Sequence, residues 1–349
     1  MILRVVFGFI LPAWSLAASV PAQPSTGHTN DPGGPFHLPT ANASLYTRGE
    51  EAKFFAPTAP DKPWTGGSFG CVRNDGWRLH EGVDILHLQA DRRGEPTDPV
   101  MATADGTVVY INSRPSLSNY GNYIVVRHLI EGMEVCSVYA HLSAVRAGLK
   151  AGDTVKSGEV IATMGRTSNA ETILRERAHL HFEINLVNND NFSGWFKKNS
   201  PPGERNDHGE WNGQNLIGID PRQILLQEHN PNGGFSLTNF IRRQTELCRV
   251  LVRATNFPFL RRYPMLVVRN PVAEKEGAAG YEIALAYNGL PFVLMPRAAS
   301  EIKSTAKIQL LSVNESEEKA NPCRRLVVKR GSRWELANDG QRLLELLTY

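Results

Sequence analysis

Short runs of β-branched and apolar residues, separated by glycine-containing turns, fill the chain from about residue 61 to 187 and limit its fold more than any other feature. Runs of this length and composition, bounded by turn signals, are typical of β-strands. Their spacing predicts a mostly β domain built on an antiparallel sheet. The runs are 100–104, 106–111, 123–127, 134–140, 160–164 and 179–186.

The composition shifts after about residue 231, which predicts a separate small C-terminal domain over 232–349, either α+β or mostly β. An amphipathic stretch at 341–347 predicts a final helix. We therefore place the first domain at 61–231 and treat 188–217 within it as a long loop. The strand-like runs of the second domain are 248–255, 265–269, 281–287, 290–296, 307–313 and 323–329.

Residues 1–22 have the layout of a secretory signal peptide. Arg4 precedes the apolar run 5–18, and Val20 and Ala22 are small residues at the −3 and −1 positions of a cleavage site. A retained membrane anchor is the alternative, but the run is shorter than the roughly 20 residues that span a bilayer. We expect export to the periplasm, the cell wall or the outside.

Residues 23–60 are rich in Pro, Gly, Ser, Thr and Asn and have no helical or strand period, which predicts a linker or an extended surface arm. No other segment is long and apolar enough to cross a membrane, so the mature chain is expected to lack a transmembrane segment. The formal net charge of +3 lacks the concentrated basic footprint of a nucleic-acid-binding protein. Nucleic acid is therefore not an expected partner.

The four cysteines lie in the part of the chain that is expected to be exported. An oxidising compartment permits two disulfides, and four cysteines allow three pairings. The domain split favours Cys71 with Cys136 in the first domain, and by the same reasoning Cys248 with Cys323 in the second. Four buried free thiols are the alternative. None of the cysteines has CxxC spacing, which argues against a cysteine-ligated zinc site.

His179 and His181 alternate with apolar residues in one predicted strand. Side chains at i and i+2 of an extended chain point to the same face, so both imidazoles should project into one place. A polar surface that happens to hold two histidines is the plainer alternative. Glu183 continues the same face and could orient a ligand, although a solvated surface charge is the simpler interpretation.

His80 and Asp84 are four residues apart, a spacing that suits one face of a helix. Gly82 is a poor helix former and Val83 favours extended structure, so a turn that enters a strand is the better prediction. A solvated surface pair would explain this spacing by itself. Together with the strand histidines, however, the two residues suggest a zinc site of two histidines and one carboxylate, with an open fourth position. His141 follows a strand that ends at Tyr139, and a neutral imidazole there is suited to accept a proton.

Three motifs in this order, His80-Glu81-Gly82-Val83-Asp84, Tyr139-Ala140-His141-Leu142 and His179-Leu180-His181-Phe182-Glu183, resemble the M23 family of metallopeptidases, the lysostaphin and LytM type. The resemblance extends from about residue 64 to 186 and includes the 105–109 segment, the Tyr120-Gly121-Asn122 turn and the glycine turns of 148–165. It is looser over 66–79, and the C-terminal region has none.

The resemblance implies Zn²⁺ as the cofactor, with His80, Asp84 and His181 as its ligands. It also implies that His141 and His179 form the catalytic pair. The implied fold is an antiparallel β-sheet domain with a groove, and the implied substrates are peptidoglycan stem or cross-bridge peptides. The implied activity is that of a zinc metalloendopeptidase.

Three alternatives are weighed against this function. A helical zincin needs His-Glu-x-x-His, but residue 84 is Asp and the chain has no complete copy of that motif. A non-catalytic member of the same fold would bind wall polymer or activate an amidase, although all five implied positions are filled here. A peptidase that acts on another exported protein is the third. Among the remaining histidines, His128 is expected to be structural. The others are expected to be solvated, namely His28, His37, His87, His208 and His229.

Overall fold

The computed structural model describes residues 34–170 and 172–349. The predicted signal peptide and the first part of the predicted arm lie outside the described residues. The strands are β1 Gly70–Arg73, β2 Arg78–His80, β3 Val83–Leu86, β4 Pro99–Met101, β5 Gly106–Asn112, β6 Tyr123–Ile130, β7 Met133–Ala140, β8 Ala144–Val145, β9 Thr154–Val155, β10 Val160–Thr163, β11 His179–Val187, β12 Leu216–Ile219, β13 Cys248–Val252, β14 Gly280–Leu285, β15 Pro291–Arg297, β16 Ile308–Val313, β17 Val327–Arg330 and β18 Arg333–Leu336. The helices are α1 Glu51–Phe54, α2 Phe192–Asn199, α3 Pro221–Glu228, α4 Leu237–Arg242, α5 Pro258–Arg262, α6 Pro271–Glu276, α7 Glu315–Ala320 and α8 Asn338–Leu347.

The largest sheet has the strand order β12-β11-β7-β6-β5-β9, and β3 also pairs with β11. Its neighbouring strands pair antiparallel, which confirms the predicted mostly β fold. Every residue of β11 is buried, because other elements cover both of its faces. A smaller antiparallel sheet, β4-β10-β8, packs with it. The side chains that β3 and β11 contribute to the shared core are Val83, Ile85, Leu180, Phe182, Ile184 and Leu186.

The C-terminal region is α+β, which is one of the two predicted alternatives. It contains the four-stranded antiparallel sheet β15-β14-β13-β16 and the hairpin β17–β18, with α8 as the final helix. The predicted strand at 265–269 is wrong, because Pro264 begins a 3₁₀ turn there and proline lacks the N–H that a strand ladder needs. The predicted loop at 188–217 contains helix α2, which Asn191 caps by accepting a hydrogen bond from the Gly194 N–H.

The described part of the predicted arm, residues 34–60, contributes side chains to the core. Phe54 and Phe55 are fully buried, and Phe55 forms an isolated bridge with Ile85 of β3. Full burial of each phenylalanine stabilises the fold by about 1.5–3 kcal/mol. This segment is therefore not a free linker, because its aromatic residues outweigh the flexibility that its Pro and Gly content suggests.

The predicted disulfide pairing is wrong. Cys71 on β1 is bonded to Cys323, which lies 252 residues further along the chain. Among the described residues, Cys136 on β7 and Cys248 on β13 are buried thiols. The prediction assumed that disulfides form within each predicted domain. The fold instead brings the β1–β2 hairpin of the first domain against the C-terminal region.

Other contacts also join the two predicted domains. The Tyr263 hydroxyl accepts a hydrogen bond from the Val187 N–H at 2.8 Å, and Asn189 Nδ2 donates to the Leu346 carbonyl at 2.7 Å. The boundary at 231/232 stays a prediction. Within the described residues, no helix is both long and apolar enough to span a membrane.

Candidate metal centre

The register between β3 and β11 brings Asp84 next to His181. The two residues are direct partners in this antiparallel pair. Asp84 Oδ1 lies 2.9 Å from His181 Nδ1, and both side chains are almost completely buried. Because facing residues of an antiparallel pair project to the same side of the sheet, the backbone pairing alone places a carboxylate against an imidazole.

His80 reaches the same point from the end of β2. Its Nε2 lies 3.1 Å from Asp84 Oδ1 and 3.1 Å from His181 Nδ1. The turn that joins β2 to β3 requires glycine, because a Cβ on Gly82 would lie 2.3 Å from the Phe182 carbonyl oxygen of β11. The Gly82 position therefore reflects close packing of this turn against β11, which supports the predicted turn into a strand.

These three side chains fit a zinc ion. Tetrahedral zinc with bonds of about 2.0–2.1 Å separates its donor atoms by about 3.3 Å, close to the 2.9–3.1 Å observed here. A two-histidine, one-carboxylate donor set is one that catalytic zinc uses. The His80 Nδ1–H donates to the Ser68 carbonyl at 2.7 Å, which leaves Nε2 available as the ligand atom.

His181 is oriented by Glu183, which lies two residues further along β11. The distance from His181 Nε2 to Glu183 Oε1 is 2.7 Å. The same oxygen accepts a hydrogen bond from the Tyr120 hydroxyl at 2.6 Å, and Asn185 Nδ2 donates to the other oxygen at 2.8 Å. Glu183 is 1% exposed, so it is not the solvated charge of the simpler interpretation. This contact leaves His181 Nδ1 to face His80 Nε2 and Asp84 Oδ1, and these three atoms form the donor triangle of the site.

The charge balance of the donor triangle favours an ionised Asp84. Burial opposes ionisation, but interactions with the neighbouring His179, His80 and Arg73 outweigh it and hold the pKa of the Asp84 carboxyl well below its usual value. Burial also opposes protonation of His181, but its hydrogen bonds to Asp84 and Glu183 raise its pKa to about 10. A metal ion that binds here must therefore displace a proton from His181.

His141 and His179 lie beside the donor triangle. The His141 ring is 4.9 Å from the His179 ring and 5.9 Å from the His181 ring, measured between centroids. His179 Nε2 lies 3.5 Å from Asp84 Oδ2. The five residues that the sequence singled out thus converge on one place.

The backbone holds His141 in an unusual conformation. Its φ is 62°, in the left-handed region that residues other than glycine rarely adopt. The His141 N–H donates to the Tyr120 carbonyl at 2.8 Å, and Nδ1–H donates to the Thr167 carbonyl at 2.8 Å. Strained backbone of this kind clusters at functional sites. It also turns His141 out of the direction of β7.

Burial keeps both flanking imidazoles neutral. It lowers the pKa of His141 to about 3, and the neighbouring His179 and His181 lower it further. Burial likewise lowers the pKa of His179, although Asp84 opposes that shift. Each histidine donates its Nδ1–H to a backbone carbonyl, from Thr167 and Arg177 respectively, which leaves Nε2 with a lone pair. Both rings can therefore accept a proton.

Sequence reasoning missed Arg73. Its Nη2 lies 3.0 Å from His80 Nε2 and forms an ion pair with Asp84 Oδ2. The segment before His80 fits the family pattern only loosely, so no motif indicated a role for this residue. Its position on the hairpin β1–β2 is visible only in three dimensions.

Other singled-out residues have different surroundings. The Tyr139 hydroxyl is buried and accepts hydrogen bonds from the Thr103 N–H and the Ser137 hydroxyl. His128 is structural, as predicted, with its Nδ1–H donated to the Asp105 carbonyl. His208 is 9% exposed and lies 2.9 Å from the Tyr110 hydroxyl, so it is not the solvated histidine that was predicted.

Residues 78–193 match the family model described as Peptidase family M23. An uncharacterized metalloprotease of Haemophilus influenzae is 38% identical over 31% of this chain and 19% of its own length. The murein hydrolase activator NlpD of Escherichia coli is 35% identical over 30% of this chain and 22% of its own. The lipoprotein NlpD of Yersinia enterocolitica is 35% identical over 27% of this chain and 84% of its own. The chain thus spans about a fifth of the length of the first two relatives.

Solved structures of similar proteins include a zinc containing peptidase from Vibrio cholerae, with 30% identity, a TM-score of 0.23, and coverage of 30% of this chain and 26% of that one. The catalytic domain of lysostaphin from Staphylococcus simulans has 24% identity and a TM-score of 0.28, with coverage of 46% and 86%.

Proposed function

The chain belongs to peptidase family M23, and from this premise we propose that it is a zinc-dependent endopeptidase that cuts stem or cross-bridge peptides of peptidoglycan. The observation that carries the proposal is the convergence of a three-donor triangle with two further neutral imidazoles. His80, Asp84 and His181 supply the triangle, and His141 and His179 flank it. A purely structural cluster would not need five buried polar side chains with two unused imidazole lone pairs.

His80, Asp84 and His181 would hold the zinc ion. When bound, zinc would supply polarisation of the scissile carbonyl and activation of a water molecule. Asp84 contributes the negative charge that offsets part of the charge of the metal, and Glu183 and the Ser68 carbonyl orient the two imidazoles. The protein groups are thus arranged before any metal or substrate arrives.

His141 and His179 would move the protons of the reaction. Because their Nδ1–H groups are donated to carbonyl oxygens, each Nε2 can take a proton from the attacking water or hold one for the leaving amine. The depressed pKa values ensure that both rings begin neutral at physiological pH. Substrate peptides would be reached in the periplasm or cell wall after export directed by residues 1–22.

A second function is favoured by a specific observation. Several relatives carry the name murein hydrolase activator NlpD, including the protein from Escherichia coli. We therefore keep a non-catalytic role, the binding of peptidoglycan or the activation of an amidase, as the alternative. The alternative gives no purpose to the complete set of five polar side chains, which is why we rank it second.

A digest of purified peptidoglycan by residues 23–349 tests the proposal, with products identified by mass spectrometry. Parallel digests would contain a zinc chelator or the His141→Ala variant. New free amines in stem or bridge peptides, absent from both parallel digests, are the expected result and would identify the bond. Protein that contains zinc but cleaves none of several wall types would refute the endopeptidase. Stimulation of an added amidase by that same protein would then establish the alternative.

A further inference from the structure

We propose that Arg73 is an internal cation that competes with zinc for the donor triangle, so that metal loading requires its guanidinium to withdraw. The proposal rests on the metal site of the proposed function and adds a residue that lies outside the three histidine motifs. The contacts of Arg73 with two of the three donor residues carry it.

The first contact involves the lone pair that zinc needs. His80 donates its Nδ1–H to the Ser68 carbonyl, so Nε2 is the acceptor nitrogen of the ring. A guanidinium nitrogen only donates hydrogen bonds. Arg73 Nη2, 3.0 Å away, therefore donates to the Nε2 lone pair, and zinc cannot coordinate that nitrogen while the contact persists.

The second contact involves the charge that zinc needs. Arg73 is ion-paired with Asp84 Oδ2, whereas Asp84 Oδ1 faces the two histidines. Arginine stays protonated at any physiological pH, so it cannot yield by losing a proton. A fixed positive charge this close to a dication repels it strongly in a partly buried site. The guanidinium must move for zinc to bind tightly.

The fold anchors the β1–β2 hairpin that carries Arg73 and leaves the Arg73 side chain a path to solvent. Within the described residues, β1 and β2 pair with each other and with no other strand, and Cys71 ties this hairpin to Cys323. The β1–β2 pairing has a register irregularity between Cys71 and Arg73. The Arg73 side chain is 20% exposed, while that of Asp84 is 4% exposed, so the arginine has a path to solvent that the carboxylate lacks.

The consequence is a site that stays ordered without metal. A buried carboxylate is costly unless its oxygens are paired, and Arg73 is the partner of Asp84 Oδ2 when no metal is bound. Zinc binding then exchanges one cation, the Arg73 guanidinium, for another, the metal ion. The affinity of the site for zinc is therefore lower than the donor triangle alone would give. The metal-free protein is more stable than it would be without the Arg73 cation.

The test measures the zinc dissociation constant of the metal-free mature protein by competition with a chromophoric chelator. Arg73→Gln and Arg73→Met remove the cation, and Arg78→Gln, an exposed residue of the same hairpin, is the control with an equal change of net charge. We expect both Arg73 variants to bind zinc at least tenfold more tightly and the control to match the parent within about twofold. Two neutral variants are used so that misfolding of one leaves the other to decide.

Thermal unfolding in the presence of a chelator supplies a readout that is independent of activity. The Arg73 variants should unfold at a lower temperature than the parent without zinc and should gain more from added zinc. Equal or weaker zinc binding by well-folded Arg73 variants would overturn the inference and leave the proposed function standing. Failure of the parent and every variant to bind zinc would overturn both.

Discussion

His181 and Glu183, two residues apart on strand β11, are joined by a contact of 2.7 Å between Nε2 and Oε1. This contact turns the other ring nitrogen, Nδ1, toward Asp84. Outer partners of this kind set the orientation and basicity of a ligating imidazole. The geometry of the donor triangle therefore depends on a carboxylate that does not belong to it.

We expect Glu183→Gln to weaken zinc binding about 10–100-fold, because the charge that supports His181 is lost while the side-chain shape is kept. The zinc dissociation constant, measured by chelator competition, checks this. Glu81→Gln is the matched control, since Glu81 is exposed and adjoins His80 in the chain. Equal affinities of the Glu183 and Glu81 variants would remove Glu183 from the support of the site.

We expect His141→Ala to keep stoichiometric zinc and to lower kcat/KM for a peptidoglycan peptide about 10²–10⁴-fold, the usual contribution of a positioned acid–base group. The reason is that His141 lies next to the donor triangle without belonging to it. Metal analysis and peptide hydrolysis are measured on the same sample. The exposed His229→Ala variant serves as control, and an undiminished rate in His141→Ala would refute the catalytic role.

The cysteines should differ sharply in reactivity. Burial raises the pKa of the Cys136 and Cys248 thiols to about 12, so both should resist alkylation in the folded protein and react only after unfolding. Peptide mapping without reductant should recover a single cross-link between Cys71 and Cys323. Recovery of Cys71 linked to Cys136 instead would contradict this structure.

Removal of that cross-link should destabilise the protein. Replacement of Cys323 and Cys71 by serine should lower the free energy of unfolding by about 2–5 kcal/mol, because a long loop of the unfolded chain is no longer closed. Urea unfolding measures the change. The oxidised and reduced forms of the parent provide the control, since reduction should reproduce the effect of the double substitution and leave the double variant unchanged.

Glu95 should make stability depend on pH. Its hydrogen bonds from Arg166 and Arg175 lower its pKa from 4.5 to about 2. A carboxyl whose folded pKa is depressed stabilises the folded state above its unfolded pKa and loses that contribution as pH falls toward the folded value. Glu95→Gln should therefore destabilise the protein near neutral pH, and the difference from the parent should shrink between about pH 4.5 and pH 2.

Urea unfolding at several pH values checks this prediction. The double variant Glu95→Gln with Arg166→Gln is the control, because the effect of the glutamate change should be smaller once one of its partners is absent. A difference between parent and Glu95→Gln that is the same at pH 2 and pH 7 would show that the ion pairs do not cause it.

The histidine pattern could be predicted because it depends on strand geometry alone. A two-residue repeat in an extended segment places His179 and His181 together whatever surrounds them. Gly82 likewise marked the turn into β3 before its contact with Phe182 was known. Local rules of this kind need no knowledge of distant segments.

Arg73, Glu183 and the disulfide required the tertiary structure. The sequence alone favours a solvated surface charge at Glu183, whereas the fold brings Tyr120, 63 residues earlier, close enough to donate to it. Cys71 and Cys323 are 252 residues apart, and periodicity carries no information over that distance. A short polar motif is ambiguous until its burial is known, because burial decides whether a charge is solvated or must find a partner.

The sequence by itself therefore predicted the strand-rich class and the shared face of His179 and His181, since both follow from local pattern. The resemblance to a metallopeptidase family implied that His80, Asp84 and His141 would join them. Only the tertiary structure decided which nitrogen of each imidazole faces the donor triangle, that Arg73 is the cation in contact with that triangle, and which cysteines are bonded. Those outcomes depend on contacts between distant segments, and chain folding, not residue order, brings such segments together.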